Sequence, residues 1–227
     1  MIAEPVIVAV QRIKDRLDAH TRPELAGVPT LIVRGLKLAE ETGELAAAVI
    51  GLLGANPRKG ITHSAADVAS EAVDVVITAA VFAETALPGA AARALRLWES
   101  RPARQGRDLA STIAGTSAIL DRRVGPALSG PAGLAFRALR VQAAGGAVAD
   151  TIRQVVEFHA PDGWRDPNQW WDAVHAALNA AADALVVVEA VCPGEVAAVV
   201  ADRVGYVAER AEHFADGPVV AASTGGR

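Results

Sequence analysis

An all-α helical bundle is the fold this sequence predicts, and three observations predict it. Segments 6–21, 61–87, 170–192 and 195–204 each run for a helix-sized length without glycine or proline. Between the first two, Leu38, Leu45, Ala48 and Leu52 keep the three- and four-residue spacing of one helical face. No series of short alternating strands joined by hairpin turns occurs in the 227 residues.

Taken in order, the opening "MIAEPVIVAV" is briefly apolar, but it carries Glu4, lacks a basic leader segment and continues into "QRIKDRLDAH" with helical periodicity. It reads as part of a first helix and not as a signal peptide. "KLAEETGELAAAV", 37–49, supplies the second. The segment 61–87 has a start signal in "SAAD", where Ser64 is placed to cap the first turn and Asp67 to reach back to it. Its "VDVVITAAVF" is β-branched enough to pass for a buried strand. Length decides for a helix, because the uninterrupted segment far exceeds the usual strand of about 5–6 residues. "LPG" at 87–89 and "CPG" at 192–194 then read as helix stops followed by fresh starts.

Composition narrows the function. Apolar residues at 52% and charged residues at 21% exclude general disorder, and no uncharged apolar run reaches the roughly 18 residues of a membrane span. Neither a membrane nor a nucleic acid is expected as a partner. The net charge is −4, and the 22 Lys and Arg are dispersed apart from "RPARQGR", 101–107. That cluster suits an anionic small molecule, since arginine offers phosphate a planar fork of donors. Cys192 is the sole cysteine, so neither an internal disulfide nor a cysteine-based metal cage is available, and the five histidines show no ligand spacing. A cytoplasmic location is the default expectation.

The chain also repeats itself. "RGLKLAEETGELAAAV" aligns with "RALRVQAAGGAVADTI" at an offset of 103, matching Arg34 with Arg137 and Gly43 with Gly146. At an offset of 105, "DVASEAVDVVITAAVFAETALPG" aligns without a gap onto "DAVHAALNAAADALVVVEAVCPG". Alanine richness inflates such a match, but the order of the blocks and the shared P-G stop favour a duplication. The expected organisation is therefore a first half, 1–108, and a second half, 109–227. The copies differ where chemistry is expected. Glu41 and Glu44 face Ala144 and Ala147, Glu71 faces Ala176, and Asp74 faces Asn179.

On a helix, Glu41 falls on the stripe of Leu38, Leu45 and Ala48, with Glu44 beside it; on the next, Glu71, Asp74 and Thr78 share a face. Glu40, Glu41 and Glu44 could form a solvated face, but Glu41 points where a core residue belongs, and Asp74 lies in an almost wholly apolar run. Burying unpaired carboxylates costs several kcal/mol, and clustered ones raise one another's pKa unless a cation neutralises them. Lys37 can reach Glu40 or Glu41, whereas "EAVD" has no basic residue within one helical turn. A divalent cation answers this better. Oxygen donors without clustered His or Cys favour Mg²⁺ or Mn²⁺, with positions left for water and phosphate oxygens.

At these residues the chain resembles a known family. Glu40, Glu41, Glu44, Glu71 and Asp74 match the E-E-x-x-E and E-x-x-D signature of the MazG-like all-α nucleoside triphosphate pyrophosphohydrolases. The resemblance covers about residues 5–107 and reaches the rest only through the repeat. It implies Mg²⁺-dependent cleavage of a nucleoside triphosphate to the monophosphate and pyrophosphate. Glu41, Glu44, Glu71 and Asp74 would hold the metals, and Glu41 or Glu40 would help activate water, Glu40 being equally open to a supporting or surface role. Members often carry a Lys and an Asn after the second metal helix, whereas this chain reads "ALRLWESRPARQGR". Arg96, Arg101 and Arg104 are open to two readings, substitutes for phosphate contacts or a solvated basic turn, and Lys37 on the first metal helix is a further candidate for phosphate.

Two other functions remain open: a phosphoribosyl-ATP pyrophosphohydrolase-like enzyme, and a non-catalytic nucleotide-binding regulator. Family members usually assemble around helical bundles, so the second half is expected to act as a built-in partner, giving two MazG-like repeats in a monomeric pseudodimer, with a homodimer as the alternative. Trp164, Trp170 and Trp171 are open to nucleobase stacking or to packing.

Overall fold

The structure, a computed structural model, describes residues 3–104, 109–125, 130–159 and 166–213, and among these it contains eight α-helices and no strand. They are α1 (Ala3–Ala19), α2 (Val28–Leu52), α3 (Ala65–Ala86), α4 (Ala90–Arg104), α5 (Leu109–Val124), α6 (Gly130–Phe158), α7 (Trp171–Val191) and α8 (Val196–His213). The all-α expectation holds. α3 starts at the expected cap: the Ser64 hydroxyl accepts the Asp67 N–H at 3.2 Å, and the Asp67 carboxylate accepts the Ser64 N–H at 2.7 Å.

Several helices run past the glycines that bound the sequence segments. α2 begins with Pro29 in its first turn, where a missing N–H is no loss, and continues through Gly35, Gly43 and Gly51. α8 continues beyond Gly205 to His213. A glycine inside a helix costs about 1 kcal/mol against alanine. In α2 and α6 that cost buys close approach. A Cβ on Gly35 would lie 2.3 Å from the Ile152 side chain, and one on Gly145 would lie 3.0 Å from Thr42. These two contacts set α2 close against α6, and the Gln142 amide donates to the Thr42 carbonyl.

α3 and α7 form the centre, packed on each other, with α2 against α3, α6 against α7, and α2 against α6. The outer helices follow a matched pattern: α1 packs on α3 and α8, while α5 packs on α7 and α4. α3 buries Val68, Val73, Val76 and Phe82, and α7 buries Val174, Leu185, Val187 and Val188. The stretch 168–191 is long and apolar enough by composition to cross a membrane, but it lies packed against α3 and α6. The boundary between residues 108 and 109 falls at the α4–α5 connection, yet the buried apolar residues of both halves form one continuous cluster. The two described buried arginines are Arg34 and Arg137, the pair matched by the repeat.

The Ser64 cap lies two helical turns before Glu71 and sets where α3 begins. Replacing it, Ser64→Ala, should lower stability by about 1 kcal/mol in urea unfolding, the usual cost of a lost N-cap. An unchanged midpoint would mean that the cap contributes nothing.

Candidate metal centre and its cleft

α2 carries Glu41 one turn beyond Lys37 and one turn before Leu45, and α2 packs directly on α3, which carries Glu71 and Asp74. This packing brings one carboxylate oxygen each of Glu41, Glu44 and Glu71 within 4.8 Å of one another. Glu41 is buried, Glu71 is half-buried, and Glu44 is exposed at the rim. Burial is the first cause that raises the Glu41 pKa. The charges on Asp74 and Glu44 push the same way, against the pull of Lys37. The Glu71 pKa is also raised, by burial first and then by Asp74 and Glu44, with Arg203 and His63 opposing. Three hard oxygen donors with excess negative charge suit Mg²⁺ or Mn²⁺ and offer nothing to a metal that prefers sulfur or imidazole.

Asp74 is placed differently. It lies beside the cluster, but its carboxylate is taken by Arg203 of α8: Nε donates to Oδ1 at 2.9 Å, and Nη2 donates to Oδ2. α3 itself carries no Lys or Arg. The basic neighbour of Asp74 comes from 129 residues further along the chain. The expected set of four ligands is thus three convergent glutamates and one carboxylate held by an arginine.

Lys37 sits 2.8 Å from both Glu40 and Glu41. Glu40 is exposed and outside the cluster, so the structure places it on the surface beside Lys37. Arg96 is exposed and 3.8 Å from Glu4 of α1, away from the glutamates. The side chains of Arg101 and Arg104 lie outside the described residues, as does Trp164. Trp170 is buried and Trp171 is exposed.

Beside the glutamates opens a cleft of about 670 Å³, bounded by α1, α2, α3 and α8. Ile13, Leu17, Val33, Ile77, Val81 and Val207 give it aliphatic walls. Arg16, Arg22, Arg34, Lys37, Arg203 and Arg210 also line it, against the carboxylates of Glu41 and Asp74. Lys37 and Arg203 are paired with carboxylates of the site, and Arg34 with Asp18. Arg34 is buried and donates through Nη2 to Asp18 at 2.5 Å, while its Nη1 has no hydrogen-bond partner. None of the three tryptophans considered from the sequence is among the described residues that line this cleft.

Sequence reasoning missed Arg34 as a cleft residue, the contribution of α1 and the arginine of α8. Arg34 carried a signal, since the repeat matches it to Arg137 and both are buried. Arg203 carried none, because its position at the offset of 105 is held by Trp98. Comparison of the chain with known protein families, with curated proteins and with solved structures gives no match.

The raised carboxylates make a stability prediction. Glu41 and Glu71 have folded pKa values above their unfolded ones, so the native state binds more protons in the window between them. Stability of the metal-free protein should rise from this source as pH falls through that window, and fall as pH rises through it. Glu71→Gln removes one of the repelling charges. Thermal unfolding in a chelator at neutral pH should show its Tm a few degrees above wild type, whereas added Mn²⁺ should raise the wild-type Tm and leave the variant nearly unmoved. A lower Tm in chelator and an equal response to Mn²⁺ would contradict the electrostatic account.

Proposed function

We propose that this protein is a Mg²⁺- or Mn²⁺-dependent pyrophosphohydrolase that cleaves a nucleoside triphosphate to the monophosphate and pyrophosphate. The observation that carries the proposal is the convergence of Glu41, Glu44 and Glu71 at the edge of a cationic cleft with aliphatic walls. The glutamates would hold the cation. When bound, it supplies neutralisation of phosphate charge and a lowered pKa for water. Lys37 and the arginines of the cleft offer phosphate oxygens charge-assisted hydrogen bonds. The aliphatic walls are suited to cover the base and sugar and to exclude bulk water. In the reaction the water oxygen bonds to the α-phosphorus, the bond from that phosphorus to the bridging oxygen breaks, and pyrophosphate leaves with the electron pair. Glu41 would help to activate the attacking water.

The second half fits the part of a built-in partner. In an isologous dimer, residues near the axis meet their own counterparts. Here α3 packs on α7, α2 packs on α6, and Thr42 meets Gly145, the position matched to it at the offset of 103. The corresponding site of that half has Ala144, Ala147, Ala176 and Asn179 in place of the carboxylates. Arg140, matched to Lys37, is bonded there to Asp183 at 2.8 Å and 3.1 Å. One active half and one supporting half follow.

A panel of nucleoside triphosphates with Mg²⁺, assayed for both pyrophosphate and single phosphate, tests the function. Pyrophosphate should appear with at least one of them. Glu44→Gln and Glu71→Gln should each lower kcat by at least about 100-fold, since partners outside the ligand shell alone account for about 10–100-fold. Release of single phosphate, or activity unchanged in both variants, refutes this chemistry. Tight nucleotide binding without turnover would make the protein a nucleotide-binding regulator.

A further inference from the structure

Arg203 stands out because it reaches a carboxylate of the expected metal set from the other half of the chain. α8 packs on α1 and α3, so it closes the cleft of the first half although it belongs to the second. Its guanidinium engages both oxygens of Asp74, and both side chains are half-buried. The Arg203 guanidinium also lies 5.1 Å from the centroid of the Tyr206 ring, which flanks it one turn along α8. Asp74 and Glu71 lie three residues apart on one helical face, so Asp74 is a natural fourth ligand whose oxygens are already occupied.

We propose that Arg203 is a ligand-released lock on Asp74, holding that carboxylate away from the cation site until phosphate oxygens take the guanidinium, so that nucleotide and divalent cation bind cooperatively. The inference rests on the metal-site reading above and deepens it. A cation arriving alone can draw Asp74 in only by breaking a two-pronged ion pair and leaving a half-buried guanidinium without a carboxylate. Breaking such a pair on one side is unfavourable to the extent that the partner charge is shielded from water. A phosphate group removes that obstacle, since its oxygens match the same fork of donors. Conversely, a cation that captures Asp74 leaves Arg203 open to phosphate. Each ligand thus makes the other easier to bind, and the coupling is reciprocal. The charge of Glu71 also acts on Arg203, and Arg16, Arg22, Arg34, Lys37 and Arg210 are the other cations that line the cleft. Trp98 holds the matched position in α4, so the lock belongs to one site and explains a chemical use for the second half.

The test is calorimetric titration of the full chain with Mn²⁺, with and without a triphosphate analogue carrying a methylene between the α- and β-phosphorus atoms. Wild type, Arg203→Gln, Arg203→Lys and Glu71→Gln are compared, so that chelation of Mn²⁺ by the analogue in solution is common to all four. In Arg203→Gln, Mn²⁺ alone should bind about tenfold more tightly than to wild type, and the enhancement by the analogue should fall by a similar factor. Arg203→Lys keeps the charge but loses the fork, and the enhancement should fall there too. Enhancement retained in Lys but lost in Gln assigns the effect to charge alone and overturns the lock. Enhancement equal in wild type and both Arg203 variants, with Mn²⁺ binding lost in Glu71→Gln, also overturns the lock and leaves the metal site standing. No Mn²⁺ binding to wild type, or binding untouched by Glu71→Gln, overturns the metal site and the lock with it.

Discussion

Bringing the carboxylates of Glu41, Glu44 and Glu71 within 4.8 Å of one another costs free energy that their own helices offset only in part. Lys37 is the one base on α2 in contact with the group, and it is shared with the exposed Glu40. Burial first, and then the charges of Asp74 and Glu44, raise the pKa values of Glu41 and Glu71. A protein selected for stability alone would carry alanine at such positions, and the second half of this chain does so at each position matched to these three glutamates. Such charge in one half, with alanine at the matched positions of the other, supports the reading of these glutamates as a site.

The fold holds this repulsion in place through packing that does not involve the charges. α3 is clamped between α2 and α7, with Val68, Val73 and Phe82 fully buried, and α2 is set against α6 through Gly35 and Gly145. Those contacts leave Glu41 and Glu71 little freedom to turn apart. The cation of α8 then offsets a fourth carboxylate that α3 by itself leaves unpaired. The site is therefore built from both halves: α1, α2 and α3 contribute carboxylates and cleft walls, and α8 contributes Arg203 and part of the cationic lining.

Much of this was legible in the sequence because it follows from periodicity. The stripe through Leu38, Glu41 and Leu45 set Glu41 in the interior, the Ser64–Asp67 pair set the start of α3, and the three-residue spacing of Glu71 and Asp74 put them on one face. Helix ends were less legible. Glycine-free runs understate helices that use glycine for contact, as α2, α6 and α8 do. Least legible were the pairings across large sequence separations. Nothing local to Arg203 or Arg34 reveals that one meets Asp74 and the other meets Asp18. The basic run near Arg101 drew attention by composition, whereas the cations that line the cleft are dispersed singly along α1, the α1–α2 connection, α2 and α8.

The central claim is that the glutamates form a cation site and not a solvated acidic face, and anomalous diffraction from a crystal soaked in Mn²⁺ addresses it most directly. The account predicts a strong anomalous peak within coordination distance of Glu41, Glu44 and Glu71, at about 2.0–2.2 Å from carboxylate oxygens, the range for small hard divalent ions. A crystal that shows Mn²⁺ elsewhere and none among these three side chains would contradict it.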